Sequence, residues 1–212
     1  HEILVVDKPA GLLSVPGKGD HLADCLIARI ALVFPMVLLV HRLDRDTSGI
    51  LVFSRTRTAL TGLQALIRDG AVTKQYLALL DGQPRRSKFD VNAPLRKFAL
   101  QGGERMVRVA DDGKPALTFF KQVEQYRGAT LMQVTLGTGR THQIRVHAAH
   151  TGHPLAGYDK YGDKEINQRL RKRGLARLFL HAARFEFELG ERSYSFSTPL
   201  PDELKSFLDK LR

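Results

Sequence analysis

The chain contains no tryptophan and a single cysteine, Cys25, and its Asp and Glu residues number 22 against 33 Lys and Arg. Each shortage excludes something. One cysteine closes no internal disulfide, so a small disulfide scaffold is ruled out and a reducing cytoplasm is the expected setting. With Leu22, Leu26 and Ile27 as neighbours, Cys25 reads as a small buried side chain at helical spacing. The longest apolar run, from Ile30 to Val40, is interrupted by Pro35 and falls short of the roughly 20 residues a membrane-spanning helix needs. No signal peptide is visible, and no stretch has the low hydrophobicity and high charge that would keep it disordered. The scarcity of acid leaves a formal net charge of +11 and a pI near 10.0. Such a surface attracts polyanions, with nucleic acid foremost. Arg55-Thr56-Arg57, Arg85-Arg86-Ser87-Lys88 and Arg169-Leu170-Arg171-Lys172-Arg173 are the candidate phosphate contacts.

What is present is an ordinary globular composition, 43% hydrophobic and 26% charged over 212 residues. A chain of this size buries about 70% of its unfolded surface, enough for one large domain or two lobes sharing a sheet. Ile3 to Val6 reads as a strand, and Asp7-Lys8-Pro9-Ala10-Gly11 supplies turn chemistry before a second strand at Leu12 to Val15, giving a β-turn-β opening. Leu22 to Leu32 reads as a helix. Leu60, Leu63, Leu66 and Ile67 predict an amphipathic helix over Thr58 to Asp69, ended by Gly70. Strands are expected at Ile50 to Ser54, Val72 to Leu80, Val107 to Ala110, Ala116 to Tyr126, Thr130 to Leu136, Leu178 to Leu189 and Arg192 to Ser197. Further helices are expected at Thr141 to His150, Lys164 to Arg173 and Pro201 to Leu211, the last docking through Leu204, Phe207, Leu208 and Leu211. Short connections favour antiparallel pairing. The expected class is α+β, a mixed, mainly antiparallel central sheet flanked by a few helices, with the active-site cleft across the sheet.

Chemistry concentrates in two stretches. His41-Arg42-Leu43-Asp44-Arg45-Asp46-Thr47-Ser48-Gly49 places a carboxylate between guanidinium groups, after an apolar run and before a Gly-led strand. A buried strand would exclude four such charges, so the stretch reads as a site in preference to a surface loop with incidental ion pairs. Gly137-Thr138-Gly139-Arg140-Thr141-His142-Gln143-Ile144-Arg145-Val146-His147 reads as a Gly-rich turn leading into a helix with Thr141 as N-cap, whose start is an anion site. Thr141, Ile144, Arg145 and Ala148 then share a side, with Ile144 in the core and Arg145 beside it. A half-buried Arg needs a carboxylate, and Asp44 is the candidate; a surface Arg on phosphate is the alternative.

His142, His147, His150 and His153 lack the spacing of a zinc helix, so no metal is expected; with Gln143 they are expected to pack, cap or touch RNA. Lys74 and Tyr76 face one side of a strand, where Tyr76 stacks on a base or serves as a core tyrosine with a bonded hydroxyl. Asp44-Arg45-Asp46 matches poorly the Asp-x-Asp-x-Thr signature of magnesium-dependent phosphatases that use an aspartate nucleophile. Thr47 comes one place early, and Arg42 and Arg45 compete with a cation. A noncatalytic RNA-binding module would explain the positive charge but not an acid set among arginines.

The segment from His41 to Gly49 resembles the signature His-Arg-Leu-Asp-x-x-Thr-Ser-Gly of the RluA-type pseudouridine synthases. The resemblance continues in family order through Lys74-Gln75-Tyr76, Gly139 to His147, Gly152-His153-Pro154 and Leu180-His181-Ala182, essentially the whole chain. Gly103-Glu104-Arg105-Met106-Val107-Arg108-Val109 and Tyr161-Gly162-Asp163 mark a subgroup within it. The resemblance implies isomerisation of uridine to pseudouridine in RNA, with large-subunit (23S) ribosomal RNA the expected substrate and no cofactor or metal. It implies that Asp44 is the essential carboxylate, by addition to C6 of the base, attack at C1′ or proton removal at C2′. It implies that Tyr76 lies against the base, Arg145 pairs with Asp44, and Ile144 walls the pocket where many relatives carry Leu. Arg42 would fill the gap left by a flipped uridine. His41, Lys74, Arg140 and Thr141 complete the residues expected to bind substrate. Residues 1–212 are expected to form one catalytic domain, monomeric, and an S4-like RNA-binding domain is expected to precede it in the whole protein.

Overall fold

The computed structural model describes residues 2–17, 24–100 and 105–212. Along the chain run β1 (Ile3–Lys8), α1 (Leu26–Ala31), β2 (Leu38–Leu39), β3 (Ser48–Ser54), α2 (Arg57–Arg68), β4 (Thr73–Asp81), β5 (Lys88–Asn92) and β6 (Leu95–Ala99). They are followed by β7 (Arg105–Val109), β8 (Leu117–Tyr126), β9 (Ala129–Leu136), α3 (Gln143–His150), α4 (Lys164–Lys172), β10 (Leu180–Leu189), β11 (Arg192–Ser197) and α5 (Asp202–Asp209). The class is α+β, and the pairing is mixed and mainly antiparallel, as the short connections predict. The chain divides into two compact units, His1–Lys74 with His181–Pro199, and Gln75–Leu180 with Leu200–Arg212.

In the first unit β3 is central. It pairs antiparallel with β1 along its whole length and with β2, and parallel with the start of β10, which carries β11 on its other side. Every residue of β3 is buried, as expected of a strand covered on both faces. The expected β-turn-β opening is corrected here. Leu12 to Val15 forms no strand beside β1; Leu13 makes an isolated bridge to Cys25, and the partner of β1 is β3. Val5 and Ile50 join one apolar cluster, so the long-range partner offers β1 a packed face that a local hairpin does not.

The helix expected from Leu22 is shorter at both ends, and Leu22 lies outside the described residues. Cys25 is buried but caps α1 instead of sitting within it. Helix α2 begins one residue earlier than the apolar spacing suggests, because the Thr56 side chain accepts from the Ala59 N–H and caps it. Its Leu60, Leu63, Leu66 and Ile67 pack with Val52, Phe185 and Phe187.

In the second unit β4, β9, β8 and β5 form an antiparallel run, and β6 with β7 makes a separate ribbon. Strands β5 and β6 are not singled out by the sequence, since their charged residues dilute the β signal. Helix α4 is capped by Asp163, which accepts from the N–H groups of Glu165 and Ile166. Helix α5 docks through Leu204, Phe207, Leu208 and Leu211 onto Leu79, Tyr126 and Leu131. Four such side chains contribute roughly 1.5–3 kcal/mol each, ample to hold an eight-residue helix that is marginal alone. None of the described helices is long and apolar enough to cross a membrane.

Candidate active site

Asp44 opens a tight turn in which its carbonyl accepts from the Thr47 N–H at 3.1 Å. The turn is braced from both sides. Ser14 donates to the Leu43 carbonyl at 2.7 Å and accepts from the Leu43 N–H at 3.2 Å. The fully buried Lys8 ammonium donates to the carbonyls of Pro9, Leu12 and Arg45, at 2.7, 2.7 and 3.1 Å. Gly11 donates to the Arg45 carbonyl at 2.8 Å, and the Arg45 guanidinium returns a bond to the Gly11 carbonyl at 3.0 Å. Residues 9–14, expected as the end of a turn and the start of a second strand, are therefore an underlay that fixes the backbone around Asp44. Backbone so held presents a carboxylate without reorganisation when charge develops.

The end of the motif serves the fold. Thr47 and Ser48 are buried, and the Ser48 hydroxyl lies 2.9 Å from Nδ1 of His181 where β3 meets β10. Gly49 adopts φ +112, and a Cβ there would meet the Ala182 carbonyl oxygen at 2.3 Å. His41 is half-buried, stacked on Phe185 at 4.8 Å, and its Nε2 accepts from the Val52 N–H at 3.2 Å. Burial, and then the nearby Lys74 charge, push its pKa down to about 3, so the ring is neutral. Burial also lowers the Lys74 pKa. Arg42 is exposed and Asp44 half-buried. Within this unit the expected residues His41, Arg42 and Asp44 thus lie on one short loop.

In the second unit, Arg145 is 2% exposed, more enclosed than the half-buried position expected. It donates to the Tyr158 hydroxyl at 2.8 Å, and its guanidinium lies over the Tyr158 ring at 4.5 Å from the centroid. Ile144 beside it is buried, as is Tyr76 on β4, where it is paired with Val134 of β9. The expected N-cap is corrected. Helix α3 is preceded by His142 in the left-handed region at φ 54, with no capping side-chain bond, and Thr141 is left exposed in the turn before it. The cause is Gln143. Its Oε1 accepts from the Arg140 N–H and the Thr138 hydroxyl, at 3.0 and 2.7 Å. Its Nε2 donates to the Leu117 carbonyl and Thr118 Oγ1, both at 2.9 Å. These bonds tie the Gly-rich turn to β8 and delay the helix, so the anion site expected at Thr141 is not formed there. Arg140 is exposed and donates to the Pro115 carbonyl at 3.0 Å.

His142, His147 and His153 each bond within the protein. His147 is buried between Thr118 Oγ1 at 2.8 Å and the Ala93 carbonyl at 2.9 Å, and burial lowers its pKa. His142 pairs with the Tyr161 hydroxyl at 2.8 Å, and His153 with the Asp81 carbonyl at 2.9 Å. Among the described residues, no three His, Cys, Asp or Glu side chains gather as a metal set would. Sequence reasoning missed Lys8, Ser14 and Tyr158 as supports. The one available signal was a lysine closing a strand that is apolar from Ile3 to Val6.

A family model described as RNA pseudouridylate synthase matches residues 2–150, and the chain belongs to that family. Proteins named ribosomal large subunit pseudouridine synthase C, from Pasteurella multocida and Escherichia coli K12, are each 45% identical to it over 99% of its length. This agrees with the subgroup marked by Tyr161-Gly162-Asp163 and by the Gly103 to Val109 motif, of which Gly103 and Glu104 lie outside the described residues. The chain spans about two thirds of those relatives, 65% and 67%. Among solved structures, human RNA pseudouridylate synthase domain containing 1 superposes with a TM-score of 0.76 at 28% identity, covering 95% of this chain and 81% of that one. Human RNA pseudouridylate synthase domain containing 4 shares the fold, with a TM-score of 0.81 at 23% identity over 99% of this chain and 90% of that one.

Proposed function

We propose that the chain isomerises uridine to pseudouridine in RNA, with large-subunit ribosomal RNA as substrate, Asp44 as the essential carboxylate and the cytoplasm as its setting. The observation that carries this reading is the braced turn at Asp44, in a chain whose family and whose relatives' names point to the same chemistry. The reaction breaks the bond from N1 to C1′, turns the base, joins C5 to C1′, and releases the C5 proton while N1 takes one up. The free base must be retained and kept from water throughout, which favours a closed site with fixed groups.

In this proposal Arg145 is the catalytic cation, Tyr76 lies against the base and Ile144 walls the pocket. Exposed Arg42 fills the stack once the uridine has flipped, offsetting part of the few kcal/mol that unstacking costs. Lys74, His41, Arg140 and Thr141 are proposed to line the RNA path. His41 acts there as a neutral, stacked ring, and Thr141 through its exposed turn. No metal or cofactor enters the scheme, and the acting species is a monomer.

Asp44→Asn tests the assignment, since it keeps the shape and removes the anion. Pseudouridine formation in ribosomal RNA, mapped with and without the protein, is expected to vanish while RNA binding and thermal midpoint stay near wild type. Undiminished turnover in the variant would falsify the role of Asp44.

A further inference from the structure

The registers of β5, β8 and β9 place Lys88, Asp90, Phe119, Lys121, Gln133 and Thr135 on one face. Phe89, Phe120 and Val134 fall on the other, which is the face of Tyr76. That second face is filled: Phe120 is buried and Phe89 stacks on it at 4.9 Å. The first face is open beyond the cover of α5, and its residues line a hollow of about 400 Å³. Phe119 stands in the hollow 45% exposed. A single exposed aromatic is unremarkable by itself, but here its surroundings are specific. Lys88 and Lys121 are direct cross-strand partners, a like-charge pairing that is unfavourable until an anion lies between them. Arg85 and Arg86, both exposed, extend the positive charge into the approach to β5.

We infer that this face is a second RNA contact, a platform on which an unpaired base stacks against Phe119 while its flanking phosphates rest on Lys88 and Lys121. The occupant is single-stranded RNA, because in a duplex the base faces are already stacked and withheld. The ring supplies a surface any base can use, the lysine pair supplies the anion site, and Asp90, opposite Phe119, supplies an acceptor for a ribose hydroxyl. The platform lies on the opposite face of the sheet from Tyr76, so it adds to RNA capture without touching the reacting base. The inference rests on the reading of the chain as an enzyme of RNA.

The test uses the whole chain and a fluorescein-labelled single-stranded RNA decamer, titrated by anisotropy over a range of salt, beside Phe119→Ala, Phe119→Tyr and the Lys88→Gln/Lys121→Gln double variant. Phe119→Ala is expected to bind about tenfold more weakly with an unchanged salt slope, and Phe119→Tyr close to wild type. The double variant is expected to reduce the slope of log affinity against log salt by about 0.7 for each lysine. Equal affinity of Phe119→Ala and wild type overturns the platform. So does equal competition by a blunt RNA duplex, or sedimentation showing that Phe119→Ala separates a dimer while RNA binding is unchanged, since a second copy then covers the face. Pseudouridine formation on a minimal RNA, assayed with the same preparations, keeps the two readings apart. Turnover with no Phe119 effect sinks the platform alone, and a Phe119 effect with no turnover in any preparation sinks the proposed activity alone.

Discussion

The Tyr158 hydroxyl accepts a hydrogen bond from the Arg145 guanidinium at 2.8 Å, and the same guanidinium lies 4.5 Å from the centre of the Tyr158 ring. One tyrosine thus restrains a buried cation by its polar tip and by its face. Tyr158→Phe removes the first restraint and keeps the second. Hydrogen bonds to charged groups contribute about 1.5–3 kcal/mol to stability, so the thermal midpoint is expected to fall, and kcat to fall roughly tenfold beyond the loss of folded enzyme with KM little changed. Tyr158→Ala is expected to cost more on every count. A Tyr158→Phe enzyme with wild-type kcat would remove the hydroxyl from any positioning role.

Lys8→Met keeps the length of the buried stem and deletes an ammonium that three backbone carbonyls share. Leaving those acceptors unpaired is expected to cost about 2–4 kcal/mol, read as a lower urea midpoint at unchanged slope. Because one of the carbonyls belongs to Arg45, turnover is expected to fall further than the folded fraction does. Activity that merely tracks the folded fraction would make Lys8 a fold element only.

Gly49→Ala is expected to prevent folding of the first unit. The backbone there lies at φ +112, and the new Cβ would sit inside the contact distance of the Ala182 backbone, which no rotamer relieves. Soluble expression followed by limited proteolysis distinguishes this from a mere loss of activity. A protease-resistant, stable variant would show that β3 and β10 separate without harm.

Acid is expected to weaken the fold before the carboxylates titrate. His41 and His147 both have pKa values lowered chiefly by burial, His41 to about 3. Between the folded value and the ordinary value near 6.5, the unfolded chain binds the extra proton. The stabilisation is therefore complete above about pH 6.5 and is lost as pH falls, at up to about 1.4 kcal/mol per pH unit for each group. Urea midpoints from pH 8 to pH 5 check the direction, and His41→Gln is expected to flatten the curve. A midpoint that rises on acidification would reverse the sign.

Much of this architecture is readable before any coordinates. Helices α2, α4 and α5 announce themselves by apolar spacing together with Gly70, Asp163 and Pro201 at their ends, all local signals. The partner of β1 is not local: nothing in Ile3 to Val15 records that β3, some 40 residues on, offers the better buried face. The late start of α3 has the same character, because it depends on where β8 presents the Leu117 carbonyl and Thr118 to Gln143. Of the site, Asp44 stands out as an acid set among arginines and Arg145 as a charge between Ile144 and Val146. Lys8, Ser14 and Tyr158 do not, since their meaning lies in carbonyls and guanidinium groups that only the folded chain brings to them.

The pairing of Ser48 with His181, 133 residues apart in the chain, also sets an order of events during synthesis. When β3 leaves the ribosome, its Ser48–Gly49 end lacks the β10 partner until the whole intervening unit has been translated. At roughly 5–20 residues per second that wait lasts on the order of ten seconds. Throughout it, a strand that is fully buried in the finished fold stays partly unpaired, so translation speed through residues 75–180 is expected to influence yield.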